Sequence, residues 1–104
     1  MASRLAIAAA AALAVHAIPA AAETIRVNVD KLSYTPAEVS AHVGDTIEWV
    51  NGDFLAHTAT ARSKEWDVMI LPNKTGRITL KRAGNLEYYC RFHPNMTGRL
   101  LVAE

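Results

Sequence analysis

Short stretches that alternate apolar and polar residues recur along the chain from residue 24 onward. Residues 24–29 read Thr-Ile-Arg-Val-Asn-Val, and residues 46–50 repeat the pattern as Thr-Ile-Glu-Trp-Val. Alternation with a period of two places every second side chain on one face, which is typical of a half-buried β-strand. Further extended or alternating stretches cover residues 32–35, 39–43, 55–60, 66–70, 77–81, 86–90 and 99–102.

Turn residues separate these stretches at intervals of about eight to twelve positions. The clearest turns are Gly44-Asp45, Asn51-Gly52-Asp53, Pro72-Asn73 and Gly84-Asn85. After residue 22, no segment keeps a helical period for three turns. The pattern therefore predicts an all-β domain, a small Greek-key β-sandwich or barrel of seven or eight short strands.

Residues 1–22 differ in character from the rest of the chain. One early basic residue, Arg4, precedes an Ala-rich apolar run that ends in Ala20-Ala21-Ala22. A basic start, an apolar centre and small residues at the end are typical of a secretory signal peptide. The alternative is an Ala-rich helix that stays in the mature protein. We predict a cleaved signal peptide at 1–22 and a single domain at 23–104, with no membrane anchor, because the run is short and Ala-rich.

The predicted domain has 82 of the 104 residues, and its only cysteine is Cys90. Small exported domains often depend on disulfides, but a lone cysteine cannot form an internal one. A bound metal would occupy the thiolate and add free energy to the folded state. Nucleic-acid binding is poorly supported, since 11 basic and 10 acidic residues nearly balance and no basic run occurs.

The candidate metal ligands cluster near the C-terminus, where Cys90, His93 and Met96 stand three residues apart in a short loop. Pro94 biases His93 away from helical geometry and keeps this loop from becoming a regular helix. His57, 33 residues before Cys90, is the fourth candidate. A thiolate, two imidazoles and a weak thioether form the ligand set of a blue-copper site. Zinc competes for Cys and His, but structural zinc sites are normally completed by four Cys or His ligands.

These motifs resemble the cupredoxin family of blue, type 1 copper proteins. The similar segments are residues 44–51, His57 and residues 84–90, and the Cys-x2-His-x2-Met loop with Pro after His resembles the short loop of amicyanins. The resemblance covers essentially the whole chain after residue 22. It implies one copper ion, cycling between Cu(II) and Cu(I), near one end of a β-sandwich. It also implies a soluble, monomeric electron carrier of the bacterial periplasm rather than an enzyme.

The resemblance further implies that both histidines bind copper through Nδ1 and that His93 reaches an apolar surface patch. Thr58 departs from the family pattern, in which Asn commonly follows the first His ligand. We expect the Thr58 hydroxyl to take over part of the support of the loop around Cys90.

The alternative function is periplasmic copper handling, meaning storage, delivery or resistance. Such a protein would expose additional Met or His clusters, and this chain has only Met69 and His42 to spare. A copper enzyme would need a second Cys for a binuclear centre or a further His cluster, and the sequence has neither.

The predicted partners are transient redox proteins, either a c-type cytochrome or a periplasmic dehydrogenase. Residues 62–104 carry eight basic and four acidic side chains. Arg91 lies in the ligand loop and Arg99 just beyond it, so we expect both to border the patch and to steer an acidic partner.

Overall fold

Two β-sheets packed face to face make up the part of the chain that the structure, a computed structural model, describes, residues 21–104. The strands are β1 (Thr24–Asp30), β2 (Ser33–Thr35), β3 (Glu38–His42), β4 (Thr46–Asn51), β5 (His57–Ala61), β6 (Asp67–Ile70), β7 (Thr75–Thr79), β8 (Gly84–Cys90) and β9 (His93–Ala103). Residues 1–20, and with them nearly all of the predicted signal peptide at 1–22, lie outside the described residues.

One sheet has four strands in the order β2-β1-β4-β7, and the other has five in the order β3-β9-β8-β5-β6. The pairs β1–β4 and β3–β9 are parallel, and the others are antiparallel. The all-β prediction is confirmed, and the arrangement is an open sandwich rather than a closed barrel. Residues 21–104 form nine strands instead of the predicted seven or eight, because the short stretches that form β2 and β6 both pair with neighbours.

The core between the sheets is built on aromatic side chains. The Tyr88 ring, fully buried on β8, packs edge-on against Tyr34 at 4.6 Å and against Trp49 at 5.4 Å between ring centroids. Gly98 makes room for this ring, since a Cβ atom there would lie 2.3 Å from a Tyr88 ring carbon. The ring cluster joins the two sheets, because Tyr34 and Trp49 belong to the four-stranded sheet and Tyr88 to the five-stranded one.

Three neighbouring strands of the five-stranded sheet meet at one end of the sandwich. Strand β5 begins at His57, the adjacent antiparallel strand β8 ends at Cys90, and β9 begins at His93. Cys90 and His93 face each other across a tight turn, where the pairing register shifts between Tyr89 and Cys90. Strand β9 starts six residues before the predicted start at Arg99. Within residues 21–104 there is no helix with the length and apolarity to cross a membrane.

Candidate metal centre

The predicted ligands His57, Cys90 and His93 come together at this end of the sandwich. Their donor atoms all lie within 4.8 Å of one another. The Sγ atom of Cys90 is 3.9 Å from Nδ1 of His57 and 3.7 Å from Nδ1 of His93. The two imidazole rings are tilted by 48°, with centroids 5.2 Å apart. In both rings it is therefore Nδ1 that faces the thiol.

The spacing of these donor atoms fits a metal ion. Bonds of about 2.0–2.3 Å to nitrogen and sulfur, opened by about 110–120°, place two donors about 3.5–3.8 Å apart. The two Sγ–Nδ1 distances of 3.9 and 3.7 Å are close to that range. A thiolate with two imidazoles is also the trigonal set that copper takes in electron-transfer sites. The residues present thus suit a copper ion in both spacing and chemistry.

The candidate ligands differ in their exposure to solvent. His57 and Cys90 are fully buried, whereas His93 is only partly buried. Met96 on β9 is also buried, with 3% of its surface exposed, and it belongs to the same apolar core cluster as Cys90. The role of Met96 as a fourth, axial ligand remains a prediction.

The turn between β4 and β5, which is held by hydrogen bonds, positions the His57 ring in the site. Nδ2 of Asn51 donates to the carbonyl oxygens of Leu55 at 2.8 Å and Ile70 at 3.1 Å, and Oδ1 of Asn51 accepts from the Asp53 N–H at 2.8 Å. The carboxylate of Asp53 then lies 3.0 Å from Nε2 of His57. Because this contact places the ring proton on Nε2, it leaves Nδ1 free for a metal.

Sequence reasoning missed the roles of Asn51 and Asp53, which it assigned to an ordinary turn. The only sequence signal was an acidic residue four positions before His57. The hydrogen bond with His57 also holds the pKa of Asp53 below its ordinary value, which keeps this carboxyl charged.

Thr58, the residue after His57, contacts both the Cys90 thiol and the loop that follows it. Its backbone N–H points at Sγ of Cys90 at 3.4 Å, and its Oγ1 accepts the backbone N–H of Arg91 at 2.9 Å. The hydroxyl of Tyr34 donates to the Thr58 carbonyl, which ties β5 to the opposite sheet. Burial raises the pKa of Tyr34 well above its ordinary value, so this donor keeps its proton. The Thr58 hydroxyl thus contacts the loop after Cys90, and its role in supporting the site stays a prediction.

An apolar surface borders His93. A groove of about 510 Å³ is lined by His93 together with Leu32, Phe54 and Leu55, and we call these four residues the His93 patch. Phe54 is 83% exposed, an unusual position for a phenylalanine side chain. Three charged residues, Asp30, Lys31 and Asp53, lie at the same groove. An apolar patch therefore adjoins His93, as predicted, although charged groups border it.

Neither of the two arginines expected at this patch lines its groove. Arg91 directly follows Cys90 in the chain, but its guanidinium pairs with Asp67 at 3.1 Å and is not among the groups that line the groove of the His93 patch. Arg99 pairs with Glu87 at 3.3 Å and Glu38 at 3.8 Å, and it lines a separate groove on the five-stranded sheet. Arg99 is six residues from His93 along an extended strand, a distance of roughly 20 Å. It is therefore too far along β9 to border the His93 patch.

Comparison with known proteins agrees with this architecture. The family model described as a cupredoxin-like domain matches residues 3–102. The chain belongs to the cupredoxin family. Among curated cupredoxins, it is 31% identical over 102 residues to amicyanin-alpha of Methylorubrum extorquens, which covers 88% of this chain and 86% of that one. It is 29% identical over 87 residues to amicyanin of Paracoccus versutus, covering 78% of this chain and 66% of the relative.

Solved amicyanin structures share the cupredoxin fold seen here. A Cu(I) form of an amicyanin variant has a TM-score of 0.69 at 27% identity, over 82% of this chain and 87% of that one. An oxidized amicyanin variant has a TM-score of 0.70 at 27% identity, over 76% of this chain and 81% of that one. The predicted cupredoxin β-sandwich, with its amicyanin-like character, is thus confirmed.

Proposed function

We propose that this cupredoxin is a soluble periplasmic electron carrier that binds one copper ion through His57, Cys90, His93 and Met96. In this proposal residues 1–22 direct export and are removed, and residues 23–104 form the mature, monomeric domain. The protein is a carrier and not an enzyme.

One observation carries the proposal, namely the convergence of two imidazole Nδ1 atoms on a fully buried thiol. Copper, when bound, supplies a one-electron Cu(II)/Cu(I) couple. The surrounding chain keeps the donors in place in both states, since His57 is held by Asp53 and Cys90 is approached by the Thr58 N–H. Donors that move little between the two states keep the reorganisation energy low, which favours fast electron transfer.

The route for electrons follows from exposure. Cys90 and His57 are sealed from solvent, whereas the His93 ring is partly exposed at an apolar groove. A small apolar contact surface suits a partner that binds briefly and leaves quickly. We infer that His93 passes electrons to transient partners docked on the His93 patch.

The partner class is a c-type cytochrome or a periplasmic dehydrogenase. A relative 33% identical over 87 residues, covering 80% of this chain and 76% of its own length, is the methylamine utilization protein MauL of Methylorubrum extorquens. Its name connects it with amine metabolism, which favours an amine-oxidising dehydrogenase system as the source of electrons.

The visible spectrum of the copper-loaded protein tests this function. Wild-type protein with one equivalent of Cu(II) should show an intense thiolate-to-copper band and be bleached by a one-electron reductant. Cys90→Ser should lose the band, because only a thiolate supplies that transition, while Thr79→Ser on β7 serves as a matched control. A protein that binds only Cu(I) and stays colourless would instead support copper handling.

A further inference from the structure

A ring of hydrogen bonds lies behind the ligand loop and links β5, β6 and the residue after Cys90. The backbone N–H of Arg91 donates to Oγ1 of Thr58 at 2.9 Å, and Oγ1 of Thr58 lies 2.9 Å from Oγ1 of Thr60. Thr60 in turn donates to Oδ1 of Asp67 at 2.7 Å. The Nε of Arg91 donates to the same oxygen at 3.1 Å and closes the ring.

The direction of every hydrogen bond in this ring is determined by its chemistry. An ionised Asp67 carboxylate can only accept, so the single hydroxyl proton of Thr60 must point to it. The Thr60 oxygen is then left as an acceptor, and the hydroxyl proton of Thr58 must point to Thr60. This leaves a lone pair of Thr58 for the Arg91 N–H, which can only donate. The reverse orientation would set two acceptors 2.7 Å apart at Asp67.

Asp67 is well suited to fix this direction. The hydrogen bond from Thr60 and then the Arg91 guanidinium lower the pKa of Asp67, so it stays an acceptor across the neutral range. Hydrogen bonds in a chain also polarise one another, so a charged end strengthens the bond at the far end. Here the far end is the bond between Thr58 and the backbone of Arg91.

The four residues of the ring differ in their exposure to solvent. Thr58 is fully buried and Thr60 is 7% exposed, whereas the side chains of Asp67 and Arg91 are 51% and 39% exposed. An exposed ion pair contributes little by itself. A buried hydroxyl without a partner is costly, however, so the Thr58–Thr60 segment is the part that resists disruption.

We propose that Thr60 and Asp67 are positioning residues for the copper centre, because they hold the Thr58 hydroxyl ready to accept the backbone N–H of Arg91. Thr58 uses its own N–H to approach Sγ of Cys90, and Arg91 directly follows Cys90 in the chain. The ring therefore fixes both sides of the thiol. This proposal rests on the proposed function, in which Cys90 binds copper.

The first measurement uses the metal-free protein and does not depend on copper. Thr60→Val keeps the side-chain shape and removes the hydroxyl, so the Thr58 hydroxyl loses the acceptor that holds it ready for the Arg91 N–H. The Arg91 amide should therefore exchange its hydrogen faster, by up to about tenfold, the effect of losing one hydrogen bond outright. Thr60→Ser should exchange like wild type, because it keeps the hydroxyl. Thr79→Val, on the other sheet, is the control for loss of a threonine hydroxyl outside the ring.

The second measurement uses the copper-loaded protein. Thr60→Val should stay blue but have a lower reduction potential, because a weaker N–H contact to the thiolate stabilises Cu(I) less. Asp67→Asn should shift the potential in the same direction by less, since its amide oxygen still accepts from Thr60 but lacks the charge. Thr60→Ser should restore the wild-type potential.

The outcomes separate the ring from the proposed function. If the Arg91 amide hydrogen of the metal-free Thr60→Val protein exchanges at the wild-type rate, the proposed ring of hydrogen bonds does not hold that amide and the proposal is wrong. Faster exchange with an unchanged potential would overturn its positioning role. A wild-type protein with no blue band would count against the proposed function, while the exchange result would still decide whether the ring exists.

Discussion

The two histidines of the candidate centre differ in almost every respect except the donor atom they present. His57 is the first residue of β5, fully buried, with Nε2 held by Asp53 at 3.0 Å. His93 is the first residue of β9, partly exposed, beside the groove that contains Phe54. One imidazole is fixed inside the protein, and the other lies where a partner can reach it.

This difference suggests a division of labour within one ligand set. An electron carrier needs a centre that changes little in shape and yet lies close to its partner. A fully buried site would be rigid but distant, and a fully exposed one would be close but open to water. With His57 and Cys90 inside and His93 at the surface, a single site satisfies both requirements.

The largest expected effect comes from removing each imidazole in turn. His57→Gly and His93→Gly should both lose the blue band, because each removes one of three strong donors. Added imidazole should restore the band in His93→Gly, since the space left there opens to solvent. It should fail in His57→Gly, where the space is enclosed. Visible titrations would record this, and equal recovery in both variants would remove the contrast between the histidines.

Removing the metal should have the next largest effect. Copper would bridge β5, which begins at His57, to the β8–β9 turn. At a free copper concentration 100 times the Kd, binding adds about 2.7 kcal/mol to the native state. In a domain of this size, that corresponds to a rise in Tm of roughly 10–20 °C. Calorimetry of both forms measures it, and equal melting temperatures would show that the core is stable without the bridge.

Removing the hydrogen bond between Asp53 and His57 should have a smaller effect. Asp53→Ala removes the acceptor for Nε2 of His57 and should weaken copper affinity by roughly 10- to 100-fold, as is common for residues that orient a ligand. Asp30→Ala is the matched control, since it removes an acidic side chain at the same groove that does not contact His57. Competition with a chelator measures both affinities. Equal losses would mean that local charge, and not the bond to His57, is responsible.

The smallest expected effect concerns the exposed side of the site. Phe54→Lys should slow electron transfer to a c-type cytochrome without moving the potential or the visible band, because Phe54 lies on the His93 patch and not among the ligands. Val43→Lys, an exposed apolar residue in the turn after β3, is the control. Stopped-flow rates would show the difference. Similar slowing by both variants would place the docking surface elsewhere.

Much of this site was predictable from sequence because its ligands carry distinctive chemistry. Cys90 and His93 lie three residues apart at the end of a recognisable strand, and the resemblance to cupredoxins pointed to His57 as a further ligand. The strands with strict alternation, such as β1 and β4, were also placed within a residue or two. Local pattern and local chemistry are sufficient for both.

The supporting residues were not predictable, since their roles depend on sheet register. Thr60 meets Asp67 only because β5 and β6 pair with these two residues opposite each other. Asp53 acts only because the turn folds back beneath the His57 ring. The early start of β9 at His93 was missed for a similar reason, since Pro94 and Asn95 resemble a turn and only the pairing of His93 with Cys90 shows that the strand begins there.

The central claim is that two histidines and Cys90 bind copper. X-ray absorption at the copper edge tests it most directly, since it gives the number of ligand atoms and their distances from the metal. We expect two nitrogen neighbours at about 2.0 Å and one sulfur at about 2.2–2.3 Å, with the same neighbours after reduction to Cu(I). The short sulfur should be lost in Cys90→Ser and kept in Met96→Leu. A copper shell without a short sulfur, or one that loses a nitrogen on reduction, would contradict the account.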